Sequence, residues 1–184
     1  MEQLIIVDKN DRKIGYKEKD ECHLIPVELH RAFSIFIFNS KGKMLIQKRA
    51  RSKKTWPGHW TNACCSHPRK GETLKEATKR RLEEELGFAC PLKHLFSFRY
   101  RANYDSIYGE HEIDHVFVGI YDGEVVPNSE EVEMHTFINI DALLEDIKNS
   151  PHKFTPWFKQ ALPEVLAFDI KTIKLSCNNK DRGS

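Results

Sequence analysis

The stretch from Trp56 to Gly87, WPGHWTNACCSHPRKGETLKEATKRRLEEELG, constrains this chain most tightly. Its first half, rich in Pro, Gly, Asn, Cys and His, reads as a loop, and its second half reads as a helix with marked ends. Thr73 is a good N-cap, and Glu76 three residues on completes a capping box. Gly87 falls where a left-handed C-terminal cap belongs. At 100° per residue, Leu74, Ala77, Leu82 and Leu86 share one broad inward face, with Thr78, Arg81 and Glu85 in its middle. Lys79, Glu76 and Glu83 point elsewhere. A charge centred in an apolar stripe costs several kcal/mol, roughly, unless it is compensated. An anion beside Arg81 and a cation beside Glu85 would compensate both, and so would a simple pairing of the two at i,i+4. Just ahead of the helix, Cys65, Ser66 and His67 deliver a thiol and an imidazole near a helix N-terminus that attracts anions.

Bulk properties exclude several classes. Lys+Arg 29 against Asp+Glu 27 gives a net +2, so no global field points to nucleic acid or an anionic membrane. No apolar run approaches the roughly 18 residues of a membrane span, and no basic-then-apolar leader opens the chain. The five cysteines, two of them adjacent, make a poor disulfide framework and no CxxC pair, which fits a reducing, cytoplasmic setting. With 184 residues, 40% hydrophobic and 30% charged, one globular domain is expected. The balanced charge and the lack of a heptad predict a monomer.

In chain order, Leu4 to Val7 reads as a strand followed by a turn. Lys17 to Leu29 reads as irregular and carries His23, with His30 just beyond it. Pro26 forbids one helix through both histidines. Ala32 to Phe38, apolar on both faces, reads as a central strand that turns through NSKGK into Met44 to Gln47. Lys48 to Lys54 is a basic run suited to gripping phosphate. Leu95 to Tyr104 and Ile107 to Tyr121 read as strands. In the second, Glu110 and Glu112 lie two apart and share one face, where a shared divalent cation would relieve their repulsion. Glu133 to Ile138 reads as a strand, Asp141 to Asn149 as a helix capped by Asp141, and Lys159 to Phe168 as the last helix. Strands interleaved with helices predict an α/β sandwich.

Ser66, Glu72, Arg80 and the run Glu83-Glu84-Glu85-Leu86-Gly87-Phe88 follow the spacing of the Nudix box. Two positions depart: Ser66 stands for the box's Gly, and Arg81 for the Glu after Arg80. Those departures, together with WTNACCSHP, resemble the type I isopentenyl diphosphate isomerases, and the likeness runs from His23 to about Trp157. The resemblance implies a Nudix-like mixed β-sheet sandwiched between helices, a single domain over residues 1–170, and a polar tail at 171–184. It implies metal ligands at His23, His30, His67, Glu110 and Glu112, and Mg²⁺ bridging Glu85 and the substrate diphosphate. The ion among the histidines is Mn²⁺, Zn²⁺ or Mg²⁺, and the mixed nitrogen and oxygen donors suit a borderline ion such as Zn²⁺, Mn²⁺ or Fe²⁺. By the same resemblance Cys65 and Glu112 handle two protons of an allylic isomerisation. Tyr100 assists, Trp157 faces the carbocation, and Lys19, Arg49, Lys53 and Arg81 hold an isoprenoid diphosphate. Cations near Cys65 predict a lowered thiol pKa. A pyrophosphohydrolase is the competing enzyme, although Arg81 removes a carboxylate it needs. A catalytically silent binding module would show losses among the Cys, His and Glu positions, and every one is filled.

Overall fold

Alternation along one strand divides the molecule into two cores. In the computed structural model, which describes residues 2–169, β3 (His30–Phe38) runs through the middle of the sheet. Its odd residues Phe33, Ile35 and Ile37 join Leu45, Ala63, Cys64, Ala77, Leu82, Leu86 and Phe117. Its even residues Phe36 and Phe38 join Met44, Val116, Val118, Trp157, Phe158 and Leu162 on the opposite face. A strand buried on both faces must be apolar at every position, which is why this one reads AFSIFIF. The single polar residue in that run, Ser34, lines the functional cavity, beside Ala32 and Phe33.

The sheet is mixed. β8 (Gly109–Ile120) runs parallel to β3 along its whole length, and every other pairing between named strands is antiparallel. β8 also pairs with β7 (Leu92–Asn103). Along its other edge β3 meets three strands in turn: β1 (Gln3–Val7) at His30, β6 (Cys64–Ser66) at Phe33 to Ile35, and β4 (Met44–Arg49) at its end. β2 (Lys13–Glu18) continues from β1, while β5 (Trp60–Asn62) and β9 (Val132–Ile138) flank β4. Among the described residues, α2 (Leu74–Leu86) covers one face, and α4 (Pro156–Ala167) the other, with Leu143 of α3 (Ile140–Asn149) packed beside it. The expected sandwich is the one found.

The helix ends of α2 form as the sequence dictates. Thr73 and Glu76 exchange the two capping-box hydrogen bonds, and Gly87 takes a left-handed backbone at φ 73°. Thr78, Arg81 and Glu85 are buried as expected, and Arg81 and Glu85 do pair at i,i+4. Several readings need correction. Within the run read as a loop, Trp60–Asn62 and Cys64–Ser66 form two three-residue strands, while the residues on either side stay irregular. Lys13 to Glu18 is an exposed edge strand, and Lys19 to Cys22 forms a short helix, α1, inside the segment read as irregular. α3 begins one residue earlier, after Asn139, so Asp141 sits in the first turn, where its charge suits the helix dipole. The last helix starts at Pro156, three residues before Lys159; Pro at the first position lacks only an N–H that would have no partner. The polar tail at 171–184 lies outside the described residues.

Gly87→Ala should destabilise the fold, because the left-handed backbone costs a side chain roughly 1–2 kcal/mol and a Cβ would lie 2.8 Å from the Val126 carbonyl oxygen. Gly71→Ala, at φ 87° with open space around it, should cost only the backbone part. Urea unfolding of the two variants checks the order; equal losses would remove the Val126 contact from the account.

Candidate active site

The cavity lies where β3, β6 and β8 present their even-face residues and α1, β4 and α4 close the sides. It encloses about 320 Å³, and its walls include His23, Ser34, Cys65, Tyr100, Glu112 and Trp157. Strand register explains the assembly. Glu112 stands opposite His30 on one side and Tyr100 on the other, while Cys65 stands opposite Ser34. Because β6 alternates too, its neighbouring cysteines point apart: Cys64 into the α2-side core, Cys65 toward the cavity.

Five donors converge. One ligand atom each from His23, His30, His67, Glu110 and Glu112 lies within 4.8 Å of all the others, and all five residues are buried. The Nδ1 atoms of His23 and His30 face the carbonyl oxygens of Lys19 (2.7 Å) and Glu28 (2.8 Å). Each carbonyl fixes the proton on Nδ1 and turns a bare Nε2 inward, as second-layer partners do in metal sites. His30 Nε2 and Glu110 Oε2 have no partner of hydrogen-bond geometry despite being buried. Buried lone pairs left facing one another are what a divalent cation satisfies, so the residues fit one. His67 differs, with Nε2 2.8 Å from Glu112 Oε1 and its own Nδ1 unpartnered. Without a cation, burial works against charge on His23, but the Glu110 carboxylate outweighs it and lifts that imidazole to about 9. Burial, with His30 and His23 alongside, drives His67 well below its usual value.

Glu112 is held from several sides. Tyr100 donates its hydroxyl to Oε2, and His67 and His30 face Oε1. Burial opposes its charge, yet the His30 contact and the Tyr100 hydroxyl keep the carboxyl below its ordinary value. Burial and the Glu112 charge push the Tyr100 phenol up.

Cys65 reverses an expectation. Burial, then the Asp114 carboxylate, push its thiol up to about 12, and the Arg49 charge offsets little of this. The sequence suggests a cation-rich helix entrance; in the fold, Thr73 and Glu76 already cap that helix eight residues further on, and a helix end acts only within its first turn. Cys65 is therefore a thiol at neutral pH. Its sulfur accepts the Trp157 Nε1–H at 3.0 Å and donates to Asn62 Oδ1 at 2.9 Å.

All four expected cations reach the wall, each with a partner already. Lys19 pairs with Glu2, Lys53 with Glu131, and Arg81 with Glu84, Glu85 and Glu131. Arg49 donates to the Thr55 and Trp56 carbonyls and lies 5.4 Å over the Trp157 ring, so part of its guanidinium anchors the loop. Glu85 stands apart from the five-donor cluster, behind Arg81 and 3.2 Å from Gln47 Nε2. Sequence reasoning missed Asp114, which is buried and accepts the Ser34 hydroxyl at 2.7 Å. The step of two from Glu110 through Glu112 was the signal that leads to it. It also missed Thr55, which donates to Glu110 Oε1, and Asn62.

The model of the NUDIX domain matches residues 28–158. An isopentenyl-diphosphate Delta-isomerase from Photorhabdus laumondii is 46% identical over 170 residues, 92% of this chain and 96% of that protein. The chain belongs to the isopentenyl-diphosphate Delta-isomerase family. Family members from Serratia proteamaculans (42% identical, 92% of this chain and 94% of theirs) and Bos taurus (38%, 86% and 79%) agree. Solved structures support the Nudix fold. A Deinococcus radiodurans protein superposes with TM-score 0.66 at 22% identity over 80% of this chain and 90% of its own. A MutT NUDIX hydrolase from Burkholderia pseudomallei gives 0.60 at 23% identity, over 74% and 98%.

Two outcomes test the site. Iodoacetamide attacks the thiolate, so alkylation of Cys65, followed by peptide mass mapping, should keep accelerating as pH rises past the ordinary thiol value of 9.0. A plateau below that pH would mean a thiolate-favouring site. His67→Asn should weaken divalent metal binding, read by elemental analysis after dialysis, by more than the roughly 10–100-fold typical of losing an outer partner. Unchanged metal content would remove His67 from the ligand set.

Proposed function

We propose that this chain converts isopentenyl diphosphate to dimethylallyl diphosphate, moving a double bond by one position in isoprenoid biosynthesis. Carrying the reading is the placement of a protonated thiol and a carboxylate on strands either side of β3, both facing one cavity. The reaction adds a proton to the terminal alkene carbon and removes another from C2. Two proton-handling groups on separate walls suit that need, and Cys65 and Glu112 take these roles. One gives its proton and the other receives, and Tyr100 steadies Glu112 through its hydroxyl.

The tertiary carbocation between the two steps would be trapped by water, so the walls must exclude it. Trp157, Tyr100 and Trp56 are buried and pack together there, Trp56 edge-on to Trp157 at 5.2 Å. An aromatic face stabilises a cation by about 1–2 kcal/mol when desolvated. Lys19, Arg49, Lys53 and Arg81 hold the diphosphate, exchanging carboxylate partners for phosphate oxygens. His23, His30, His67, Glu110 and Glu112 hold a divalent ion, Mn²⁺, Zn²⁺ or Mg²⁺, and Glu85 serves Mg²⁺ bound with the diphosphate. A divalent ion among the histidines neutralises the paired carboxylates and raises the acidity of a proton carried by Glu112. The balanced net charge of +2 is what supports a monomer. No helix among the described residues is long and apolar enough to cross a membrane. The adjacent free cysteines Cys64 and Cys65 support a cytoplasmic setting.

Incubation with isopentenyl diphosphate in heavy water with Mg²⁺ tests the reading directly. NMR should find dimethylallyl product with deuterium in the methyl derived from the terminal carbon, and no free phosphate. Cys65→Ala should lose about 10²–10⁴-fold in turnover, the usual worth of a positioned acid or base, while Cys64→Ala keeps most activity. Phosphate release without allylic product would replace the isomerase with a hydrolase.

A further inference from the structure

Asn62 ends β5, is fully buried, and stands behind the cavity wall rather than on it. Its amide makes a complete and directional set of hydrogen bonds. Nδ2 donates to the Ile35 carbonyl at 3.1 Å and to the Cys64 carbonyl at 2.9 Å. A flipped amide would set its oxygen against two carbonyl oxygens, so Oδ1 must be the atom that faces Cys65.

The hydrogens can then be placed one by one. Thr61 Oγ1 receives the Thr155 hydroxyl at 2.9 Å and the Trp157 Nε1–H at 3.1 Å, which fills its acceptor capacity. Its single hydrogen goes to Asn62 Oδ1 at 2.9 Å. The second lone pair of Oδ1 lies 2.9 Å from Cys65 Sγ, and a carbonyl oxygen has no proton to give, so the S–H is the donor. The single Trp157 Nε1–H is shared between Thr61 Oγ1 and the same sulfur, 3.0 Å away. Ser34 Oγ lies 2.7 Å from Asp114 Oδ2, its shorter contact, and 3.6 Å from the sulfur, toward which its hydroxyl is a second, weaker donor. Thr155 is the N-cap of α4, yet its side chain makes no capping bond and donates into this chain instead.

We propose that Asn62 is a positioning residue that fixes the direction of the Cys65 S–H bond. It acts through Cys65 and does not touch substrate. A thiol is a weak donor on a freely rotating bond, and its direction decides where a proton leaves or arrives. Asn62 removes that freedom, and the Ile35, Cys64 and Thr61 contacts remove it from Asn62. This rests on the reading of Cys65 as a proton-handling group.

Infrared spectroscopy of the S–H stretch tests it in the full-length protein, with the Cys65 band identified by its loss in Cys65→Ala. In the wild type that band should lie below the free-thiol position, as for S–H donated to a carbonyl. Asn62→Leu should move it up toward the free position. Thr61→Val takes away the competing hydroxyl donor, so it should move the band further down; this variant decides the matter if Asn62→Leu fails to fold. Asn62→Leu should lower kcat on the order of 10²-fold, the cost of misplacing a reacting group, with KM little changed. A wild-type band at the free-thiol position, or one unmoved in a folded variant, overturns the proposal. If instead Cys65→Ala stays active while the bands shift as described, the hydrogen-bond assignment stands and the role of Cys65 in turnover is what falls.

Discussion

Two carboxylates two residues apart on a buried strand set the terms for the whole site. Glu110 and Glu112 share one side of β8, and both are more than nine-tenths buried. Like charges so placed repel strongly in a low-dielectric interior. The fold answers with three imidazoles drawn from separate segments: one after α1, one opening β3 and one after β6. The third is separated from the first two by β3, β4 and β5, so the cluster itself records the topology. The parallel β3–β8 pairing, unusual in a sheet otherwise antiparallel, brings His30 level with Glu112. Three histidines close enough to stack edge to edge, with centroids 4.9–5.1 Å apart, would in turn repel if charged. A cation binding bare nitrogens and paired carboxylates resolves both problems together.

Strand alternation then separates chemistry from structure. On β6 it sends Cys64 into the core under α2 and Cys65 to the cavity, so identical neighbours have different fates. Both thiols are pushed up by burial, and Cys64 also by the nearby Glu85 charge. What distinguishes them is access and hydrogen bonding. Cys65 retains a face toward the cavity and holds directional contacts with Asn62 and Trp157, whereas Cys64 is sealed at 0% exposure.

The features legible in the sequence were those set by local rules. A capping box and a left-handed glycine need only a few residues of context, so the ends of α2 read correctly. Period-two spacing likewise placed Glu110 and Glu112 on one face. β5 and β6 failed to read because three-residue strands carry almost no periodic signal and exist through pairing with β4 and β3. The edge strand β2 is largely exposed and lacks an apolar face. The ligand histidines and the cations were placed by family resemblance, since nothing local joins His23 to His67. The step of two through Glu110 and Glu112 reaches Asp114, but its partner Ser34, 80 positions away, is not visible from that spacing. The thiol pKa was misjudged for the same reason: neighbouring cations are visible in sequence, but burial and the Asp114 carboxylate are not.

Arg81 shows how a scaffold shared with hydrolases supports a different reaction. Its guanidinium sits between Glu84, Glu85 and Glu131, three carboxylates that converge from two segments of chain. A fourth carboxylate at position 81 would leave Glu85 without its guanidinium partner, while Glu131 would keep Lys53 and Glu84 would keep Arg80. Metal-dense carboxylate sites activate water against phosphorus, the outcome that an enzyme keeping its diphosphate whole must avoid. An arginine in the middle of the helix's buried face is therefore a counter-charge for the fold. Its burial also explains the choice of Arg over Lys, since a planar fork satisfies several carboxylates at once where an ammonium would leave donors unpaired.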